Sequence, residues 1–114
     1  MKYDRRKSPR IDVNLPATWE GAFERCDATI TSLSVNGCFV LSGGRVDPKE
    51  LVRLEIYLPD ENPVYVWGEV VDHAYEIGFA ARFTSPGEDE DQTRLMRFIT
   101  DAIKAQQKAT PDSV

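Results

Sequence analysis

From Val13 onward, apolar and polar positions alternate along much of the chain. A period of two turns one face of a β-strand towards a core and the other towards water. Val13, Leu15, Ala17 and Trp19 form the first such series, and Cys26, Ala28 and Ile30 repeat it after a turn near Glu20-Gly21. Gly37-Cys38-Phe39-Val40-Leu41 reads as a short third strand, closed by Ser42-Gly43-Gly44. Val52, Leu54, Ile56 and Leu58 alternate with Arg53, Glu55 and Tyr57, and end at the turn between Pro59 and Pro63. Val64, Val66, Gly68 and Val70 share one face of a fifth segment, and Ile77, Phe79, Ala81 and Phe83 one face of a sixth, with the break near residues 72–76. Six short, one-faced strands predict a mainly β fold, either a sandwich or a small barrel, and closure into a barrel has the advantage of removing exposed edges.

The period then lengthens. Leu95, Phe98, Ile99, Ala102 and Ile103 recur at three and four residues, which makes one apolar stripe on a helix. Ser85-Pro86-Gly87-Glu88 has the form of a helix start, with an N-cap hydroxyl, a proline in the first turn and a capping-box glutamate. The stripe is expected to pack on the barrel, with a surface for a partner helix as the alternative. The organisation that follows is a basic arm over 1–10, a six-stranded body over 11–84, a helix over 85–108 and a frayed tail over 109–114.

Length and composition narrow the class. The 114 residues suffice for one domain with a single core. No apolar run approaches the ~20 residues of a membrane span, and the charged start lacks the apolar region of a signal peptide, so no membrane insertion and a cytoplasmic location are expected. Cys26 and Cys38 lack metal or redox spacing and sit in strand patterns, which predicts two small buried hydrophobes.

Charge changes the picture more. Lys2, Arg5, Arg6, Lys7 and Arg10 stand against Asp4 alone in the first ten residues, a local net charge of +4. Nine basic and eighteen acidic residues remain, so the rest of the chain carries −9 within a total of −5. A basic segment held against an acidic body points to a local partner bearing phosphates or carboxylates. Arginine's planar guanidinium also stacks on flat rings, which suits a ligand with both phosphates and purine bases. Pro9 makes this segment read as an extended, mobile arm.

Signs of catalysis are weak. His73 is the single histidine, with no second metal ligand or nucleophile pattern around it. Neither a phosphate-binding glycine loop nor a nucleophile elbow is present, and the paired carboxylates fall in a turn and a helix start. A binding protein without a cofactor is therefore expected rather than an enzyme. Thr31-Ser32-Leu33-Ser34-Val35-Asn36-Gly37 is the candidate ligand loop: the glycine lets the backbone come close, and the hydroxyls offer donors and acceptors.

Arg6-Lys7-Ser8-Pro9-Arg10 has the form R-x-x-x-R, and Ser32-Leu33-Ser34-Val35-Asn36-Gly37 has the form S-x-S-x-x-G. In this order, ahead of short strands and a terminal helix, the two motifs resemble the PilZ family over nearly the entire chain. The resemblance implies a six-stranded antiparallel β-barrel with a C-terminal α-helix and a receptor for the second messenger cyclic di-GMP. It implies that Arg6 and Arg10 contact guanine and phosphate, and that Ser34 and Gly37 shape the pocket wall. Arg5 stands where an arginine in this family accompanies an intercalated dimer of the ligand. The family's second motif usually opens with Asp or Asn, and this chain has Ser32. A hydroxyl offers guanine one contact at a time where a carboxylate accepts from two donors, a loss of about 1.5–3 kcal/mol that implies weak binding or none.

The leading expectation is thus a cyclic di-GMP receptor that signals to an effector protein through ordering of its arm. The alternative is a ligand-blind module of the same fold that acts through protein contacts. Single-stranded nucleic acid ranks last as a partner, because the acidic body opposes a long polyanion.

Overall fold

The computed structural model describes residues 9–74, 76–84 and 89–109. Each apolar series becomes a strand: β1 (Ile11–Glu20), β2 (Arg25–Leu33), β3 (Gly37–Leu41), β4 (Leu51–Ile56), β5 (Val64–Ala74) and β6 (Gly78–Phe83), followed by helix α1 (Glu90–Ala109). The strands close a barrel in the order β1-β2-β3-β6-β5-β4, every neighbouring pair antiparallel. Closure settles the choice between sandwich and barrel, and it leaves no strand with an unpaired edge.

Inward positions fill the lumen. Trp19, Ile30, Leu33, Val40, Val52, Leu54, Ile56, Val64 and Phe79 are fully buried. Trp19 and Phe79 meet edge to face with ring centroids 5.3 Å apart, an arrangement that suits the ring quadrupoles. The indole Nε1–H of Trp19 donates to Ser42 Oγ at 3.0 Å, which satisfies the one polar group of this side chain.

Glycines set how closely β3 and β6 approach. A Cβ on Gly37 would stand 2.2 Å from the carbonyl oxygen of Ala81, and one on Gly78 2.1 Å from that of Val40. These glycines lie at opposite ends of the same ladder, where Gly37 pairs Arg82 and Leu41 pairs Gly78.

Helix α1 packs against β5 and β1, with Leu95 and Ile99 both fully buried. The amide of Asp91 donates to Asp89 Oδ1 at 2.8 Å, so Asp89 serves as N-cap. The sequence-predicted cap, Ser85 to Glu88, lies outside the described residues, as do the arm up to Ser8 and the tail from Thr110.

Three sequence expectations change. Cys26 is only half-buried, because it stands at the start of β2, whose first five residues are all exposed or half-buried. Ile77 is 55% exposed rather than inward: its amide closes a turn onto the carbonyl of Ala74, and β6 begins one residue later. β5 continues to Ala74, past the predicted break, because a bulge between Val70 and Asp72 resets its alternation while pairing with β6 persists.

Candidate functional site

The candidate residues that the structure describes gather on the outer wall where β1 begins, β2 ends and β3 starts. Arg10 is exposed immediately before β1. Its Nη1 donates to Ser32 Oγ at 2.9 Å, across the space between the two motifs. Ser32 stands near the end of β2, half-buried, with Asp12 of β1 on one side and Phe39 of β3 on the other in the pairing register. An arginine of the arm and the leading hydroxyl of the loop are therefore direct neighbours. Arg5 and Arg6 lie outside the described residues.

Ser34 and Gly37 do different work. Ser34 is 2% exposed, and its Oγ accepts from the amides of Asn36 at 3.2 Å and Gly37 at 3.3 Å. Its own amide donates to the carbonyl of Gly37 at 2.9 Å, which closes the β2–β3 turn. These bonds use the serine to hold the loop backbone, the local competition between side chain and backbone that short hydroxyls favour in turns. Val35 and Asn36 are left exposed at the tip. The carbonyl of Asn36 accepts from the amide of Phe83 at 2.9 Å, so the loop is also tied to the end of β6.

Phe39 is half-buried between Ser32 and Ala80 in the register, and Ala80 presents little bulk. Arg82, opposite Gly37, is exposed and paired with Glu69 of β5. Phe39, Arg82 and Glu69 were not among the residues predicted from sequence, because only the cross-strand register brings them beside the loop. Behind the wall, Cys38 is wholly buried, and desolvation pushes its thiol up to about 12, with the nearby Arg10 opposing in smaller part. Such a thiol is inert packing rather than a nucleophile. Among the described residues no cluster of His, Cys, Asp and Glu could hold a metal ion, and His73 is exposed on β5. Nor is any described helix long and apolar enough to cross a membrane.

Six antiparallel strands closed into a barrel, with one terminal helix and a polar loop between β2 and β3, define a small, mainly β barrel. The particular family follows from comparison with known proteins: the chain belongs to the PilZ domain family, which it matches over residues 4–101. PilZ domains are binding and adaptor domains, in general receptors for cyclic di-GMP. The inhibitor of motility MotI/DgrA of Bacillus subtilis has a similar structure, with a TM-score of 0.71 at 20% identity over 92% of this chain. This chain spans only 54% of that protein. The PilZ domain of CeSA from a cellulose-synthesizing bacterium has a TM-score of 0.66 at 16% identity, covering 82% of this chain and 99% of the other. An uncharacterised Legionella protein has a TM-score of 0.53 at 18% identity, covering 88% and 98%. At such identities these likenesses concern the fold. No curated protein matches in sequence.

Proposed function

We propose that this chain is a non-enzymatic cyclic di-GMP receptor of the cytoplasm, whose arm arginines Arg5, Arg6 and Arg10 close over a ligand seated against the loop from Ser32 to Gly37. The observation that carries the reading is the Arg10 to Ser32 hydrogen bond, which joins the two motifs at 2.9 Å. The same guanidinium can stack on guanine and pair with a phosphate in charge-assisted bonds. In this mechanism Ser34 and Gly37 act through the backbone, by presenting the loop in one shape, while Arg10 and Ser32 touch the ligand.

Ligand contact with the arm fixes its position relative to the barrel and so covers or uncovers a surface for a protein effector. A ligand shifts a conformation only through contacts that differ between the two states, and arginines outside the barrel supply such contacts. The ligand binds as a single molecule or, with Arg5 as a further guanidinium, as an intercalated pair. Calorimetry with cyclic di-GMP on the intact chain and on an Arg6→Ala, Arg10→Ala double variant tests the reading. Saturable heat in the wild type that disappears in the variant is expected. Equal heats in both, or none in the wild type at high ligand concentration, would instead favour a module that acts through protein contacts alone.

A further inference from the structure

The family's motif opens with an acid or amide where this chain has Ser32, and the register shows what stands beside that position. Asp12 of β1 pairs directly with Ser32 of β2, and Ile11 with Leu33 in the adjoining step. Ile11 and Leu33 are buried, so the alternation of the strands turns Asp12 and Ser32 together to the outer wall. Side chains directly opposite on one face of an antiparallel pair stand about 4.5–5.5 Å apart at Cβ. A bulge follows at once, between Asp12 and Leu15 on β1, the kind of irregularity that re-aims side chains at the margin of a site. Asp12 is exposed, and its carboxylate makes no hydrogen bond or ion pair with another described residue. Arg10, two positions earlier and just ahead of β1, reaches Ser32 Oγ.

We infer that Asp12 supplies the carboxylate that reads the Watson–Crick edge of guanine in this chain, in the place of the acid or amide missing at residue 32. The inference rests on the cyclic di-GMP reading above and assigns its base specificity. A carboxylate accepts from guanine N1–H and N2–H together, while an arginine donates to O6 and N7 on the other edge. Arg10, just ahead of β1, and Asp12, within it, carry that complementary pair of groups two positions apart, both exposed and both beside Ser32. Adenine presents an acceptor at N1 and no exocyclic amine at C2, so the same carboxylate discriminates against it. Ser32, beside the ligand, then also orients Arg10: its hydroxyl holds the guanidinium without neutralising it.

The sign of one substitution separates this from a bystander acid. The ligand carries two phosphates, so removal of an uninvolved carboxylate from the site relieves repulsion and leaves binding equal or tighter. A carboxylate that pairs with guanine gives the opposite result. Calorimetry with cyclic di-GMP and cyclic di-AMP on the wild type, Asp12→Ala and the Asp12→Ala, Ser32→Asp double variant reads it out, with thermal unfolding as a check that each is folded. The Asp12→Ala chain is expected to bind cyclic di-GMP roughly ten- to a hundred-fold more weakly. Moving the acid across the ladder, in the double variant, is expected to restore most of that loss, and cyclic di-AMP binding is expected to stay weak and insensitive to both changes. Equal or tighter cyclic di-GMP binding by Asp12→Ala overturns the inference while the receptor reading stands. So does a loss that the double variant fails to restore. A wild type that binds no cyclic di-GMP overturns both.

Discussion

The guanidinium of Arg10 donates to the hydroxyl of Ser32 at 2.9 Å, a contact between residues separated by twenty-two positions in sequence. The bond is exposed, and a single hydrogen bond of this kind contributes about 1 kcal/mol or less to stability. Its importance is orientation: it holds a planar fork of donors at the edge of the loop. Arg10→Lys keeps the charge and loses the fork and the stacking plane. The expected result is a thermal midpoint close to that of the wild type together with about ten-fold weaker cyclic di-GMP binding by calorimetry, on the scale of one charge-assisted bond. Unchanged affinity would mean that Arg10 contributes only charge.

Gly37 is the loop residue whose role is most plainly steric. An added Cβ would meet the Ala81 carbonyl oxygen at 2.2 Å, and backbone on the facing strand cannot give way as a flexible side chain can. Gly37→Ala is expected to push β6 away from β3 and to cost about 1–3 kcal/mol, read as a lower urea midpoint. Gly43 gives the control, since its Cβ would meet nothing within 4 Å and no described glycine has a positive φ. Gly43→Ala is expected to be neutral or stabilising by about 0.4–1 kcal/mol, because it restricts the unfolded chain.

Most of the barrel was legible because its inward residues repeat at the strand period. Leu54, Val66 and Phe79 are where alternation puts them, all buried. Where alternation breaks, the sequence misleads. The β5 bulge at Val70 to Asp72 conceals three further strand residues, and the exposed Ile77 was assigned inward because a turn residue and a strand residue of the same type look alike. The candidate site was legible in part for a different reason. Arg10 and the Ser32 to Gly37 loop are contiguous motifs, whereas Asp12 acquires meaning only from its partner across the ladder. Register is a property of two strands, and no single stretch of sequence displays it.

The buried thiol makes stability depend on alkaline pH. Cys38 has its thiol raised from 9.0 to about 12, chiefly by desolvation. The unfolded chain therefore releases this proton at lower pH than the folded chain does. A raised folded value means that the contribution is complete below pH 9.0 and is lost as pH rises towards about 12. Urea midpoints measured across that window are expected to fall more steeply for the wild type than for Cys38→Ala, which starts lower by the cost of its cavity. At neutral pH a thiol reagent should label Cys26, half-buried and itself raised by desolvation and by its bond to Glu24, while Cys38 reacts only after unfolding. Equal labelling of both in the folded chain would contradict the burial.

Asp91 joins the helix to the barrel through two separate bonds. Its Oδ2 accepts from the amide of Tyr65 at the start of β5, at 2.9 Å, and its Oδ1 from Arg94 Nη1 at 3.2 Å. Arg94 in turn donates to the carbonyls of Pro63 and Asn62, so one carboxylate and one guanidinium satisfy three backbone groups where β5 begins. Acids in the first turn of a helix interact favourably with its dipole, a contribution of about 0.3–1 kcal/mol at an exposed site. A carboxylate that also serves a strand amide should be worth more, because its loss leaves that amide without its partner and takes one of several acceptors from a half-buried guanidinium. Asp91→Ala is expected to destabilise the chain by about 1.5–3 kcal/mol, on the scale of hydrogen bonds to charged groups. Glu90→Ala, which removes the neighbouring acid from the same turn, should cost no more than the dipole contribution. Denaturant unfolding of the two variants compares them directly, and equal costs would reduce Asp91 to one more favourable charge at a helix start.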